Sequence, residues 1–351
     1  MITNLRLQHF RSYGDKTFHF RSGVTIIAGP NASGKTNLLE AILVLATGSS
    51  YRVKDVDLIE RNQSWARLDA HNQAGELRTV KLLTEPSPSK SYELAGKPTK
   101  RLLLKDTLPV VLFEPNHLQL LTGSPSRRRD YLDELLSQTQ PGYATHLRNY
   151  KRTLAQRNSL LKQPLRAVEG QMFAWDVRLS ELAATIVRAR ASLVDGLQAN
   201  IGELYKDVSH AGTEVSLRYE SRFRPEHYES HMLKKLENDL QLDKMRGFTA
   251  TGPHREDLAV LFEDRLASET ASRGEARTAV LALKILELRM LHAVRGEAPL
   301  LLLDDVFSEL DSERRKALTS YLKEYQTFIT TTDADVAAKH FAKDAHIIKL
   351  A

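Results

Sequence analysis

The sequence predicts an α/β fold in two lobes: a mixed sheet flanked by helices, and a second, mainly helical lobe carrying a short helical arm. Three observations lead there. Short apolar or alternating runs crowd residues 1–115, two long amphipathic stripes fill the middle, and strands alternate with helices towards the end. The expected division gives 1–115 plus 295–351 to the first lobe and 116–294 to the second.

Taken in order, Ile2 to Phe10, Thr17 to Phe20 and Val24 to Ala28 are separated by Gly or Ser and read as strands. Behind Lys35, Leu38 to Leu45 is almost wholly apolar and reads as a buried helix. Arg67 to Asn72, Thr79 to Leu83 and Ser91 to Leu94 form a small antiparallel patch, with Pro86 and Pro88 marking a turn before the last. Pro109 to Phe113 is a further strand. Ser124-Pro125 opens a helix, since Ser caps well and Pro suits the first helical position.

Tyr143, Leu147, Tyr150, Leu154 and Leu161 then recur at helical spacing. After an expected break at Pro164 and Gly170, the stripe resumes from Met172 through Leu179, Ile186, Leu193 and Ile201 to Leu204, enough for a helix of roughly 50 Å. Two such helices joined by a short loop make an antiparallel arm whose apolar stripe is core. A helical pattern from Tyr228 to Leu242 leads to Thr249-Ala-Thr-Gly-Pro-His254. A helix (274–292), a strand (299–303), a helix (312–325), a strand (327–330), a helix and a strand near Ile347 complete the chain.

Composition narrows the function. With 42% hydrophobic and 27% charged residues, the chain has ordinary globular makeup, which argues against disorder. The absence of cysteine excludes a disulfide framework, a Cys-based zinc site and a thiol nucleophile. No uncharged apolar stretch is long enough to span a bilayer, and the opening residues lack the pattern of a secretion signal, so a cytoplasmic protein is expected. The net charge of +6 favours an anionic partner without naming one.

Gly29-Pro30-Asn31-Ala32-Ser33-Gly34-Lys35-Thr36 matches the phosphate-loop pattern and stands where that pattern must, between a strand and a helix. Gly29 and Gly34 permit close backbone approach, so successive N–H groups and the helix N-terminus face phosphate oxygens. Lys35 brings positive charge to the terminal phosphates, and the Thr36 hydroxyl suits Mg²⁺. Leu300 to Leu303 is an apolar strand ending in Asp304 and Asp305. In a parallel sheet, ligands bind beyond the carboxyl ends of the strands, which brings both acids to the nucleotide. Asp304 suits the metal, and Asp305 suits orienting or deprotonating an attacking water.

The order of the motifs is informative. The acidic strand lies far downstream of the loop, and Ser272-Arg-Gly274-Glu-Ala-Arg277 precedes it. That segment resembles the signature loop of ABC ATPases, in which the resemblance implies ATP shared head-to-tail, with Ser272 and Gly274 of one copy capping the γ-phosphate held by the other. Ala276 departs from the Gln usual there. Ser308-Glu-Leu-Asp311 resembles the loop that crosses such a dimer, and Thr332 falls where these proteins carry a γ-phosphate switch. Asp305 stands where many ABC enzymes have Glu; its shorter reach suggests slow hydrolysis.

Further segments resemble the RecF family of the ABC/SMC group from end to end. They are Phe10-Arg11-Ser12-Tyr13, Gly123-Ser-Pro-Ser-Arg127-Arg128, Tyr150-Lys-Arg-Thr-Leu-Ala-Gln-Arg157-Asn158, Thr251-Gly-Pro-His254-Arg255 and Leu302 to Asp311. The resemblance implies an ABC-type P-loop ATPase head with ATP and Mg²⁺ as cofactors, an ATP-dependent homodimer, and a role in repairing single-strand gaps. There the family acts with RecO and RecR to direct RecA loading at duplex beside single-stranded DNA. It also implies that Arg11 lies near the base or ribose. Ala32 stands where the family often has Gly, a methyl the loop tolerates if φ is negative. For DNA, Arg127 and Arg128 of the arginine cluster and the helical stripe Arg148, Lys151, Arg152 are the best basic candidates. A protein-interaction scaffold with incidental DNA binding is the alternative, and His254 reads as structural.

Overall fold

The computed structural model describes residues 1–163, 165–210, 212–332 and 345–351. It divides into two compact units, 1–117 with 287–351, and 118–286. Among the described residues no helix is long and apolar enough to cross a membrane.

In chain order, the first unit contains β1 (Ile2–Phe10), β2 (Tyr13–His19), β3 (Val24–Ala28), α1 (Lys35–Thr47), β4 (Trp65–Asn72), β5 (Leu77–Leu83), β6 (Ser89–Leu94), β7 (Lys97–Thr99) and β8 (Val110–Phe113). The second contains α2 (Pro125–Thr139), α3 (Tyr143–Leu161), α4 (Leu165–Ser209), β9 (Val215–Glu220), α5 (Tyr228–Asn238), α6 (Leu240–Arg246), β10 (Asp257–Phe262), β11 (Arg265–Leu266) and α7 (Ala267–Thr270). The division falls inside α8 (Arg273–Arg295), and β12 (Leu300–Asp304), α9 (Val306–Glu309), α10 (Ser312–Leu322), β13 (Thr327–Thr331) and β14 (His346–Lys349) return to the first unit.

The strands of the first unit form two sheets. One is antiparallel, in the order β2-β1-β4-β5-β6-β7; the other is parallel, in the order β14-β3-β13-β12-β8. Between them α1 is apolar on nearly every side, with Leu38 to Ala46 all buried in a core that takes residues from both sheets. Gly48 ends the helix at φ 81, its N–H bonded to the Val44 carbonyl. The Gln326 side chain accepts from the Ile2 N–H and donates to the Ile2 carbonyl, which ties β1 to the start of β13.

In the second unit, α3 and α4 pair antiparallel, with Leu161 against Met172 and Arg157 against Asp176. The second helix runs for 45 residues and does not break at Gly170, contrary to the sequence reading. Among the described residues no neighbouring atom lies where a Cβ at Gly170 would sit, so the glycine is simply a helical residue. The sequence also missed the three-stranded antiparallel sheet β11-β10-β9 that packs beside these helices. The helical pattern after Tyr228 splits into α5 and α6, and the helix expected between β13 and β14 lies outside the described residues.

Two motifs that the sequence reading singled out meet each other here. Arg157, fully buried on α3, donates to Asp176, Asp243 and the Thr249 hydroxyl at 2.6, 2.8 and 2.8 Å. Asn158 accepts from the Thr249 N–H at 2.8 Å. Gly252 adopts φ 138, and a Cβ there would lie 2.6 Å from the Tyr150 hydroxyl. His254 Nε2 faces the Thr249 carbonyl and must donate, so Nδ1 accepts from Tyr150. Burial lowers His254 to about 4, keeping it neutral. His254 is thus structural.

Removing Arg157 leaves two carboxylates buried without their counter-ion. Arg157→Leu should therefore lose about 3–5 kcal/mol in urea unfolding followed by tryptophan fluorescence. A loss below about 1 kcal/mol would show that the network contributes little.

Candidate nucleotide site at the carboxyl edge of the parallel sheet

The parallel register decides which residues meet. Ala28 pairs with Thr331, Thr330 with Asp304, and Leu303 with Phe113. Gly29, Thr332, Asp305 and Glu114, the residues next in chain, therefore emerge at one edge. The phosphate loop joins β3 to α1 there, and its first N–H, from Gly29, bonds to the Thr331 carbonyl at 3.3 Å.

The loop conformation explains its glycines. Gly34 sits at φ 94 in front of α1, its carbonyl accepting from the Tyr13 hydroxyl at 3.0 Å. A Cβ on Gly29 would lie 2.6 Å from both the Leu350 carbonyl oxygen and the Ser33 hydroxyl. No side chain caps α1, so its first N–H groups are open to an anion. Among the described residues Ser33 Oγ is buried without a hydrogen-bond partner, the kind of polar atom that a phosphate oxygen satisfies. Lys35, only 8% exposed, donates to the Gly29 and Pro30 carbonyls at 2.8 and 2.7 Å and so lies across the loop. Ala32 has φ +67, so the condition of a negative φ is not met and its methyl is carried in the left-handed region.

The two acids stand directly beside this loop. Asp304 Oδ1 accepts from Thr36 Oγ1 at 3.0 Å and from Thr330 Oγ1 at 2.7 Å, and the carboxylate is nearly buried. Asp305 turns the chain at φ 53 while its N–H donates to Thr330 Oγ1 at 2.9 Å. Among the described residues the Tyr51 hydroxyl is buried without a partner, and its pKa is pushed up, first by burial and then by Asp304 and Glu114. Thr330, Tyr51 and Glu114 were all missed in the sequence. Only Glu114 carried a signal, a carboxylate just past an apolar strand. The hydroxyl of Thr36 beside the carboxylate of Asp304, next to an anion-binding loop, is a donor set suited to Mg²⁺.

The RecF/RecN/SMC N terminal domain family matches the chain over residues 1–348. The DNA replication and repair protein RecF of Symbiobacterium thermophilum is 38% identical over 362 residues, covering 99% of this chain and 96% of the relative. RecF of Heliobacterium modesticaldum is 36% identical, covering 94% and 92%. This chain belongs to the RecF family.

A solved structure of RecF with ATP, described as a recombination mediator protein of the RecFOR pathway, matches with a TM-score of 0.83 at 28% identity, covering 99% of this chain and 95% of that one. An Smc head bound to the C-winged helix domain of ScpA matches at 0.56 and 20% identity, covering 99% and 93%, which shows the fold alone.

Other RecF-like positions divide. The Arg11 guanidinium donates to both oxygens of Glu40 at 2.8 and 3.1 Å and to the Asp57 carbonyl. Glu40 is fully buried on α1 and needs that cation, so the pair braces the helix. Arg128 is engaged within the protein as well. It forms a two-pronged pair with Asp257 at 2.9 and 2.6 Å and donates to the carbonyls of Leu120, Leu121 and Gly123, with its side chain only 11% exposed. By contrast Arg127 is exposed near the start of α2, and Arg148, Lys151 and Arg152 are exposed on α3. Ser272 begins α8 in a capping box: its hydroxyl accepts from the Glu275 N–H, and Glu275 accepts from the Ser272 N–H. Gly274 lies in the first turn, and the buried methyl of Ala276 points away from solvent. Thr332 is exposed just past β13. Asp333 lies outside the described residues.

The left-handed Ala32 generates a prediction. Ala32→Gly should leave urea stability unchanged or raise it by up to about 1 kcal/mol, whereas Ala32→Val, branched at Cβ, should lower it by about 1–2 kcal/mol. Equal stability of all three chains would show that this residue carries no strain.

Proposed function

We propose that this chain is an ATP-dependent DNA-binding protein of recombinational gap repair, in which two copies close over ATP and thereby hold duplex DNA near single-strand junctions. The observation that carries this reading is the meeting of the phosphate loop with Asp304 through Thr36. Gly29 to Thr36 hold the triphosphate: the open N–H groups of α1 and the Ser33 hydroxyl bind phosphate oxygens, and Lys35 exchanges its two carbonyl acceptors for them. Thr36 and Asp304 would hold Mg²⁺, which would supply positive charge at the phosphates. Asp305 orients the attacking water, and Thr332 senses the γ-phosphate. Hydrolysis is slow, since an Asp reaches less far than the Glu of faster relatives, and it resets the clamp.

Ser272 and Gly274 open a helix, and in the dimer they cap the γ-phosphate held by the other copy. The capping box that Ser272 makes with Glu275 favours this role by presenting a preformed helix start. Arg127, Arg148, Lys151 and Arg152 contact DNA phosphates, giving binding that is largely independent of sequence. The similarity to a mediator of the RecFOR pathway supports a cytoplasmic role beside RecO and RecR in directing RecA loading.

Electrophoretic binding to gapped duplex with ATP, with ADP and without nucleotide tests this reading. ATP should tighten binding in the wild type and leave Lys35→Ala unaffected. Replacing Arg148, Lys151 and Arg152 together by Ala should make the slope of log affinity against log salt shallower by about 2–3. Duplex binding that ignores ATP would favour a protein-interaction scaffold instead.

A further inference from the structure

We infer that Thr330 is a positioning residue for the ATPase reaction, holding both acids of the site through one hydroxyl. This rests on the proposed ATP reading and adds a residue to it. Thr330 is fully buried at the end of β13. Its Oγ1 has a single hydrogen, and of two acceptors in range Asp304 Oδ1 at 2.7 Å is far closer than the Leu303 carbonyl at 3.5 Å. The proton therefore goes to the carboxylate, and a lone pair of the same oxygen receives the Asp305 N–H at 2.9 Å. One group thus fixes the side chain of Asp304 and the main chain of Asp305.

Both targets need holding. Asp304 Oδ1 takes two hydroxyl donors, Thr330 from β13 and Thr36 from α1, and these set the plane of the carboxylate. Among the described residues its Oδ2 has no donor. Asp305 adopts φ 53, a conformation that L side chains rarely take, and the hydrogen bond from its N–H holds the turn that aims its carboxylate. A threonine serving its own strand bonds locally, as Thr327 does with the Tyr325 carbonyl. Thr330 instead reaches across to the end of β12.

The two bonds give separate readouts. Losing the bond to Asp304 weakens the metal's hold, and losing the bond from Asp305 misaims the carboxylate that orients water; partners of this kind typically alter metal affinity or activity by about 10–100-fold. Turnover of ATP by the full chain, titrated with MgCl₂, is compared for wild type, Thr330→Ser and Thr330→Val. Binding of a fluorescent ATP analogue and the melting temperature are measured alongside. Thr330→Ser keeps the hydroxyl and should stay within about threefold of wild type. Thr330→Val keeps the shape, should still bind the analogue, and should raise the half-saturating Mg²⁺ by about tenfold or more while lowering the rate. Thr330→Ala replaces it if the valine chain melts early.

A Thr330→Val chain with unchanged rate and unchanged Mg²⁺ dependence overturns the inference alone, because wild-type turnover still stands. Equal loss in the Ser and Val chains without any change in Mg²⁺ dependence also overturns it, since a packing role alone gives that pattern. A wild type that neither binds the analogue nor turns over ATP overturns the proposed function, and this inference with it.

Discussion

The hydrogen bond from Thr36 Oγ1 to Asp304 Oδ1, 3.0 Å long, spans 268 residues of chain and joins the phosphate loop to the acidic strand. It forms only if β3, β13 and β12 run parallel in one register, so that their carboxyl ends lie level. The rest of the first unit serves that condition. Helix α1 is buried between two sheets and so cannot slide, and Gln326 and Ile2 lock the antiparallel sheet to the start of β13. Glu40 and Arg11 brace the first turns of α1. A loop that must approach phosphates through its backbone needs this rigidity, because oriented N–H groups stabilise charge only where they are already in place.

The second unit is built on the same economy of polar contacts. Arg157, Asn158 and Tyr150 of α3 hold the segment from Thr249 to His254, and Arg190 of α4 bonds both Asp133 on α2 and the Pro253 carbonyl. Glu256 accepts from Tyr219 and Tyr228 at 2.7 Å each. Family-motif residues Tyr150, Arg157 and Asn158 thus face the interior of the unit. What they leave on the outside is the stripe of Arg148, Lys151 and Arg152.

This contrast marks what the sequence can express. Phosphate-loop spacing and an apolar strand ending in two acids are local patterns with one chemical explanation, and both were legible. Thr330 was not, since its neighbours Thr331 and Thr332 look identical to it in sequence, and only the pairing of β13 with β12 singles it out. Arg128 misled for a related reason. Three consecutive arginines read as a cationic patch, but the turn of α2 directs one to Asp257 and another, Arg129, to the Glu256 carbonyl. Strands β9 and β10 went unread because a long polar and helical segment separates them, and no local turn signals their pairing. Gly170 shows the opposite error, since an exposed glycine costs a long helix too little to break it.

The central claim is that the loop and acids of one copy are completed by the helix start of another. Sedimentation velocity with ATP, ADP and no nucleotide measures this most directly, for wild type and Ser272→Arg. The account predicts a dimer for the wild type with ATP alone, and a monomer for Ser272→Arg in every condition. A wild type that remains monomeric with saturating ATP, or an arginine variant that dimerises equally well, would contradict it.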